Sequence, residues 1–233
     1  MKTIIESGLQ ALGRSPAPAG ALANYGELLL EQNQVMNLTA ITQPDQVARL
    51  HMLDCAAVLG AADFPGKAVL DVGTGAGFPG LVLKLCEPSI QLTLLDSLAK
   101  RIDWLSRIAP ELGAEEIRCV HARAEELSSL PDWREQFDIV TSRAVADLRI
   151  LCELCLPFVK VGGVFLAMKA EDSNEEVNSA GRAVSILGGR LLPAFSYCIP
   201  GTDVSRKVIR VEKIKPSPQK YPRRFSKMKK APL

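Results

Sequence analysis

The chain has 233 residues, of which 47% are hydrophobic and 23% charged, values typical of one globular α/β domain with a small extension. No apolar run approaches the roughly 18–20 residues that span a bilayer, and the N-terminus lacks the apolar segment of a signal peptide, so we expect a cytoplasmic protein. The six cysteines lie mostly within apolar runs, and Cys152 and Cys155 have no second pair to complete a zinc site, which argues against disulfides and metal.

Residues 1–62 are predicted to form a helical cap packed on the core. Good helix formers run over 21–31, and a further helix is expected after Thr42, which can cap it. His51 and Asp54 lie three positions apart on that helix, close enough to hydrogen-bond each other. This spacing fits either a local pair on the helix surface or a role at the mouth of a site.

Strand and helix patterns alternate along residues 63–215, which predicts an α/β domain with a Rossmann-like sheet. Helices are expected at 97–112, 147–159 and 174–187. Seven mostly parallel strands, with the final pair antiparallel, are expected at 68–71, 92–96, 117–121, 137–141, 164–168, 190–198 and 207–213.

Four glycines follow the first strand within eight residues: Gly73, Gly75, Gly77 and Gly80. Glycines let the backbone turn sharply and let a ligand approach its N–H groups. A strand, a glycine turn and a helix in this order are typical of the nucleotide-binding corner of a doubly wound sheet.

Two nucleotide cofactors fit this corner. The segment 75–80 matches the dinucleotide pattern G-x-G-x-x-G, which indicates NAD and an oxidoreductase. Asp71 favours S-adenosylmethionine instead, because a carboxylate there would repel dinucleotide phosphates but suits an ammonium group. Asp-x-Gly-x-Gly after a strand is also how class I methyltransferases begin. Asp96, at the end of the second strand, can hold both ribose hydroxyls of either cofactor. We therefore predict S-adenosylmethionine, bound by Asp71, Gly73, Gly75 and Asp96.

Three cations follow the carboxyl ends of later strands: Arg123, Arg143 and Lys169. Ligands of open α/β sheets bind at these ends. A single cation there can simply tie down a loop, but three on one rim favour an anionic macromolecular substrate.

Residues 216–233 form a basic C-terminal tail. From Arg206 to Leu233 there are eleven Lys or Arg residues and one acid, Glu212, whereas the preceding 205 residues carry 17 basic and 25 acidic residues. A basic segment on an acidic body suits a partner with a phosphate backbone. A solvated tail without any partner can have the same composition.

Motifs with characteristic spacing occur along nearly the whole chain. They are Asn37–Ile41, His51–Asp54, Asp71–Gly80, Leu94–Ser97, Lys100–Arg101, Arg123–Glu126, Ser142–Ala144, Lys169, Tyr221–Arg224 and Pro232–Leu233. Together they resemble the bacterial ribosomal RNA small-subunit methyltransferase G family, also called glucose-inhibited division protein B. One segment departs from it: Phe225–Met228 stands where the family usually has a Gly and a Pro before the terminal Pro-Leu.

The resemblance implies a class I methyltransferase fold and methylation of guanine N7 in small-subunit ribosomal RNA, with S-adenosylmethionine as methyl donor. Gly73, Phe78, Ala124, Glu125 and Arg143 match the family's cofactor contacts. The implied partner is that RNA, whether free, in an assembling particle or in the finished 30S subunit. No sequence feature indicates an obligate partner chain, so we expect a monomer.

The implied reaction needs positioning more than proton transfer. Guanine N7 exposes a lone pair on the Hoogsteen edge, and the sulfonium donor carries its own leaving group, so we expect no general base. Arg123, Arg143 and Lys169 would position the RNA, while Arg223 and Arg224 would contact flanking phosphates. A third hypothesis is a non-catalytic RNA-binding or ribosome-binding protein with the same fold.

Overall fold

A computed structural model describes residues 1–143 and 146–233 of the chain. Ala144, the last residue of one of the family motifs, lies outside the described residues. The α-helices are α1 (Lys2–Ala11), α2 (Ala19–Met36), α3 (Pro44–Val47), α4 (Asp54–Ala57), α5 (Gly80–Cys86), α6 (Ala99–Glu111), α7 (Ala124–Leu127), α8 (Leu148–Cys155), α9 (Asn174–Ile186) and α10 (Phe225–Lys230). The strands are β1 (Ala68–Val72), β2 (Gln91–Asp96), β3 (Arg118–His121), β4 (Phe137–Arg143), β5 (Val159–Ala170), β6 (Gly189–Leu191), β7 (Phe195–Cys198) and β8 (Ser205–Lys213).

The strands form one sheet in the order β3-β2-β1-β4-β5-β8-β6, with β7 also paired to β8. The pairs from β3 to β5 are parallel, and β8 runs antiparallel to β5, β6 and β7. The chain order reverses beside β1, between β2 and β4. Crevices at such a reversal, outside the carboxyl ends of the strands, hold the ligands of open α/β sheets.

The described residues contain eight strands in the sheet, not the seven predicted. The expected strand at 190–198 is two short strands, β6 and β7, separated by residues 192–194. Pro193 lies in that gap, and proline cannot donate a ladder hydrogen bond, so it interrupts a strand.

Two hydrophobic layers cover the two faces of the sheet. One contains Leu22 and Tyr25 of α2 together with Leu81 of α5 and Trp104 of α6, all buried. The other contains Leu151 of α8, Val184 of α9 and Met228 of α10. The N-terminal helices therefore share a core with the sheet, and the division of the chain at residues 62 and 215 stays a prediction.

Helix α3 begins one residue later than expected. Gln43 rather than Thr42 occupies the N-cap position, without a side-chain hydrogen bond to the helix, and Pro44 starts the first turn. A π-helical turn, Ala48–Leu53, joins α3 to α4. Such turns are rare and frequently mark functional sites. None of the helices in the described ranges is both long and apolar enough to cross a membrane.

The C-terminal residues pack against the domain. Arg134 donates hydrogen bonds to the carbonyl oxygens of Ser217 (2.8 Å) and Tyr221 (3.0 Å). Ser217, Tyr221 and Met228 are buried, whereas the lysines of α10 are exposed. The tail is thus attached through its backbone carbonyl groups and buried side chains, while the lysines of α10 face solvent.

Candidate active site

The glycine turn after β1 is held by Asp71. Its carboxylate is fully buried and accepts hydrogen bonds from the Thr74 hydroxyl (2.6 Å), the Gly80 amide (3.0 Å) and the Thr141 hydroxyl (3.0 Å). Burial raises the pKa of this carboxyl, and the three hydrogen bonds counter the rise. Asp71 therefore connects the start of the turn, the first residue of α5 and β4.

The turn itself needs glycine for two separate reasons. Gly75 has φ +60°, a conformation that side-chain-bearing residues rarely adopt. Gly77 has φ +93°, and a Cβ placed there would lie 2.8 Å from Leu105 Cδ2. At position 77 the turn can thus pass close to Leu105 of α6 only without a side chain.

Asp96 at the end of β2 reinforces the same turn. One carboxylate oxygen accepts from the Gly75 amide (2.9 Å) and lies 3.3 Å from Arg101 Nη1, while the other accepts from the Leu98 amide (2.9 Å). Only 4% of Asp96 is exposed. Its position fits the predicted contact with a ribose, because it lines the cavity described next.

A cavity of about 140 Å³ opens at the carboxyl ends of three adjacent strands. It contains four of the predicted cofactor residues, Gly73, Asp96, Ala124 and Glu125, and also Arg123. Its remaining lining residues are Val72, Leu95, Ser97, Ala122, Leu154 and Phe225. Complete drug-sized sites occupy about 300–1,000 Å³, so this cavity suits one portion of a nucleotide, such as its base.

The other predicted cofactor residues do not line that cavity. Phe78 and Arg143 meet at a second cluster, where the Arg143 guanidinium lies 4.6 Å above the Phe78 ring. Phe78 also stacks on His51 (centroids 4.7 Å apart) and on Tyr25 (5.3 Å). This cluster joins the glycine turn, the end of β4 and the N-terminal helices.

Arg143 contacts His51 of the π-helical turn and Asp54, the first residue of α4. Its Nη1 donates to His51 Nδ1 (3.2 Å) and lies 3.8 Å from Asp54 Oδ2. Asp54 in turn accepts a hydrogen bond from the Tyr197 hydroxyl (2.8 Å), and burial raises the pKa of Asp54. The spacing of His51 and Asp54 therefore serves a shared contact with Arg143, which the sequence analysis did not predict.

His51 is a neutral hydrogen-bonding residue in this cluster. Burial, followed by the nearby Arg143 charge, lowers the pKa of His51 to about 3. Because Nδ1 accepts from Arg143, Nε2 carries the proton and donates to Thr39 Oγ1 (2.8 Å). Thr39, Tyr25 and Tyr197 complete the cluster and were not predicted; of these, only Thr39 lies in a motif noted in the sequence.

We expect this neutral His51 to make stability depend on pH. A histidine that is protonated only when unfolded stabilises the protein above the unfolded pKa of about 6.5, and that stability falls by up to about 1.4 kcal/mol per pH unit as the pH drops below it. As the pH drops from 8 to 5, the free energy of unfolding of His51→Gln, measured with urea, should fall less steeply than that of the wild type. His121→Gln, which changes an exposed histidine, serves as the control. Equal slopes for the wild type and His51→Gln would contradict a neutral His51.

The remaining predicted cations have different surroundings. Lys169 Nζ donates to Glu176 Oε1 (2.5 Å) and to the Ala146 carbonyl (2.8 Å). Arg223 forms a close ion pair with Glu153 (2.6 Å), whose side chain is almost completely buried. Arg224 is exposed and lines, with Arg123, a wider groove of about 880 Å³ beside the cavity.

Metal-ligating residues are not clustered in this part of the molecule. Within 1–143 and 146–233, no group of three or more His, Cys, Asp or Glu side chains is arranged to hold a metal ion. The candidate site has two parts: the cavity at the ends of β1, β2 and β3, and the Arg143 cluster at the end of β4.

Several solved structures share this architecture, and some of them are described as methyltransferases. The crystal structure of TrmN from Thermus thermophilus has a TM-score of 0.52 and 22% identity, and the match covers 68% of this chain and 48% of that one. M. jannaschii TYW2, solved in complex with AdoMet (S-adenosylmethionine), has a TM-score of 0.52 and 15% identity over 65% of this chain and 71% of that one. These likenesses confirm the predicted class I methyltransferase fold.

Sequence comparisons are more specific. The family model of GidB, described as rRNA small subunit methyltransferase G, matches residues 19–197. Ribosomal RNA small subunit methyltransferase G of Alkaliphilus metalliredigens is 41% identical over 100% of this chain and 98% of its own length. The protein of the same name from Symbiobacterium thermophilum is 44% identical over 99% of this chain and 97% of its own length. The chain therefore belongs to the rRNA small subunit methyltransferase G family, as its motifs predicted.

Proposed function

We propose that this protein transfers the methyl group of S-adenosylmethionine to N7 of a guanine in small-subunit ribosomal RNA. The observation that carries the proposal is the pairing of two sites at one edge of the sheet. A base-sized cavity lies at the ends of β1, β2 and β3, and an arginine-centred cluster lies at the end of the adjacent β4. Relatives that match almost the full chain are named ribosomal RNA small subunit methyltransferase G, which supports small-subunit ribosomal RNA as the substrate.

The lining of the cavity fits the adenosine end of the donor. Val72, Leu95 and Ala122 offer apolar walls to a base, and Asp96 and Glu125 offer carboxylates to ribose hydroxyls. Gly73 and Ala124 allow close approach, and Gly75 and Phe78 continue the turn toward Arg143. Asp71 would act through the turn that it holds, since it is completely buried and does not line the cavity.

The donor, when bound, supplies an electrophilic methyl group on a sulfonium, and the protein residues orient the base toward it. Arg143 can hold an anionic or hydrogen-bond-accepting part of the nucleotide, because its guanidinium is itself fixed by His51, Asp54 and Phe78. His51 is held at both ring nitrogens and its pKa is about 3, which suits positioning and not proton abstraction at neutral pH. Guanine N7 needs no base, so this arrangement suits it.

The buried cysteines argue against methylation of pyrimidine carbon, which requires a thiolate nucleophile. Burial raises the pKa of the Cys55, Cys152 and Cys155 thiols. A thiol with a raised pKa is mostly protonated at neutral pH and reacts poorly.

The RNA would contact the cations around the site. Arg123 is exposed and lines the cavity. Arg143 ends β4 and Lys169 is the second-last residue of β5, both at the same edge and partly buried. Arg224 and the α10 lysines would contact flanking phosphates, while Arg223 would hold the tail in place through Glu153. We further propose that the protein works in the cytoplasm as a monomer.

The test is transfer of labelled methyl groups from S-adenosylmethionine to 30S subunits or 16S RNA from a strain lacking this protein, followed by mapping of the modified base. We expect one labelled guanine, methylated at N7. Calorimetric titration with S-adenosylmethionine and then NAD separates the alternatives: NAD binding would indicate an oxidoreductase. Donor binding without methylation of any substrate form would indicate a non-catalytic RNA-binding protein.

A further inference from the structure

Phe225 reaches the cavity from the opposite end of the sequence. It is the first residue of α10, and it lines the cavity together with Leu95, Asp96 and Ala124. The side chain is half-buried and also packs against the hydrophobic layer that contains Leu154 and Met228. Among the described residues that line this cavity, Phe225 is the only aromatic one.

The position of Phe225 is fixed on both sides. Before it, the Arg223 side chain donates two hydrogen bonds to Glu153, at 2.8 and 2.6 Å, and the Arg223 amide donates a third at 2.8 Å. Glu153 lies on α8 and is 1% exposed, so this contact is shielded from water and geometrically specific. After Phe225, Met228 is completely buried. The ring therefore belongs to a rigid wall.

We propose that the C-terminal tail is part of the cofactor site, with Phe225 contacting the base of the bound adenosine moiety. An aromatic ring beside a flat heterocycle contributes stacking in addition to apolar burial, and the other apolar walls are aliphatic. This inference rests on the proposed function, because it assigns the cavity to S-adenosylmethionine. It gives the basic tail a role in cofactor binding besides RNA binding.

The test compares full-length variants by calorimetric titration with S-adenosylmethionine and with S-adenosylhomocysteine. From the usual effect of alanine substitution on base–aromatic stacking, Phe225→Ala should raise both dissociation constants by about 5- to 150-fold. Phe225→Tyr keeps the ring and should bind within about threefold of the wild type. Lys229→Gln, on the exposed side of the same helix, is the matched control and should bind normally.

A second variant separates stacking from folding, since Phe225 also contacts the core. Phe225→Leu keeps an apolar side chain, so its melting temperature should stay near that of the wild type while its affinity for both ligands falls. Wild-type affinity in Phe225→Leu and Phe225→Ala would overturn the proposed contact. Failure of the wild type itself to bind either ligand would instead overturn the proposed function.

Discussion

Arg143→Ala is expected to lower the rate of methyl transfer by at least about 100-fold while the chain stays folded, since mispositioning of a reactive group by about 1 Å has effects of this size. Arg143 contacts Phe78, His51 and Asp54 together at the end of β4. Without it, Phe78 still stacks on His51, but the cationic group proposed to orient the nucleotide is lost. Single-turnover transfer of labelled methyl to 30S subunits measures the loss.

Two further variants show whether geometry or charge is responsible. Arg143→Lys keeps the positive charge but lacks the planar group that reaches His51 and lies over the Phe78 ring, so it should be nearly as impaired as alanine. Arg149→Ala removes a cation that pairs with Asp147 on the following helix and should transfer at the wild-type rate. Circular dichroism melting curves verify folding. Normal turnover in Arg143→Ala would remove Arg143 from the active site.

The sequence was sufficient where the signal is local. The glycines after β1, the carboxylate that ends β2 and the cations at the ends of β3, β4 and β5 are each visible within a few residues. Parallel strands bring their carboxyl ends to one edge, so the topology alone predicts that these residues converge. The cavity at this edge contains Gly73 and Asp96, as the sequence analysis expected.

Contacts between distant segments could not be predicted in this way. His51 and Arg143 are 92 residues apart in sequence, and Tyr197 and Asp54 are 143 residues apart. Their meeting depends on how the N-terminal helices pack on the sheet, which a helical pattern does not specify. Phe225 is a similar case, because a basic tail gives no indication of which strand ends it covers. The division at Pro193, in contrast, had a local signal, since proline interrupts a strand.

We expect the largest loss of stability from a substitution of Asp71. Asp71→Ala leaves the hydroxyls of Thr74 and Thr141 and the Gly80 amide without their buried acceptor. Each buried polar group without a partner costs about 1–3 kcal/mol, so we expect the free energy of unfolding to fall by at least about 3 kcal/mol. Urea denaturation at neutral pH, followed by tryptophan fluorescence, measures this change.

Asp71→Asn distinguishes the hydrogen bonds of Asp71 from its charge. The amide oxygen can accept from Thr74 and Gly80, while the amide NH₂ can donate to the Thr141 oxygen, so all three contacts survive. Since burial raises the pKa of Asp71, replacing it by a neutral group also removes the cost of a buried charge, and most of the wild-type stability should remain. Equal destabilisation by Asn and Ala would contradict the role of Asp71 in holding the turn. If Asp71→Asn is stable but binds S-adenosylmethionine less tightly, the carboxylate also attracts the cationic donor, as its place in the sequence predicted.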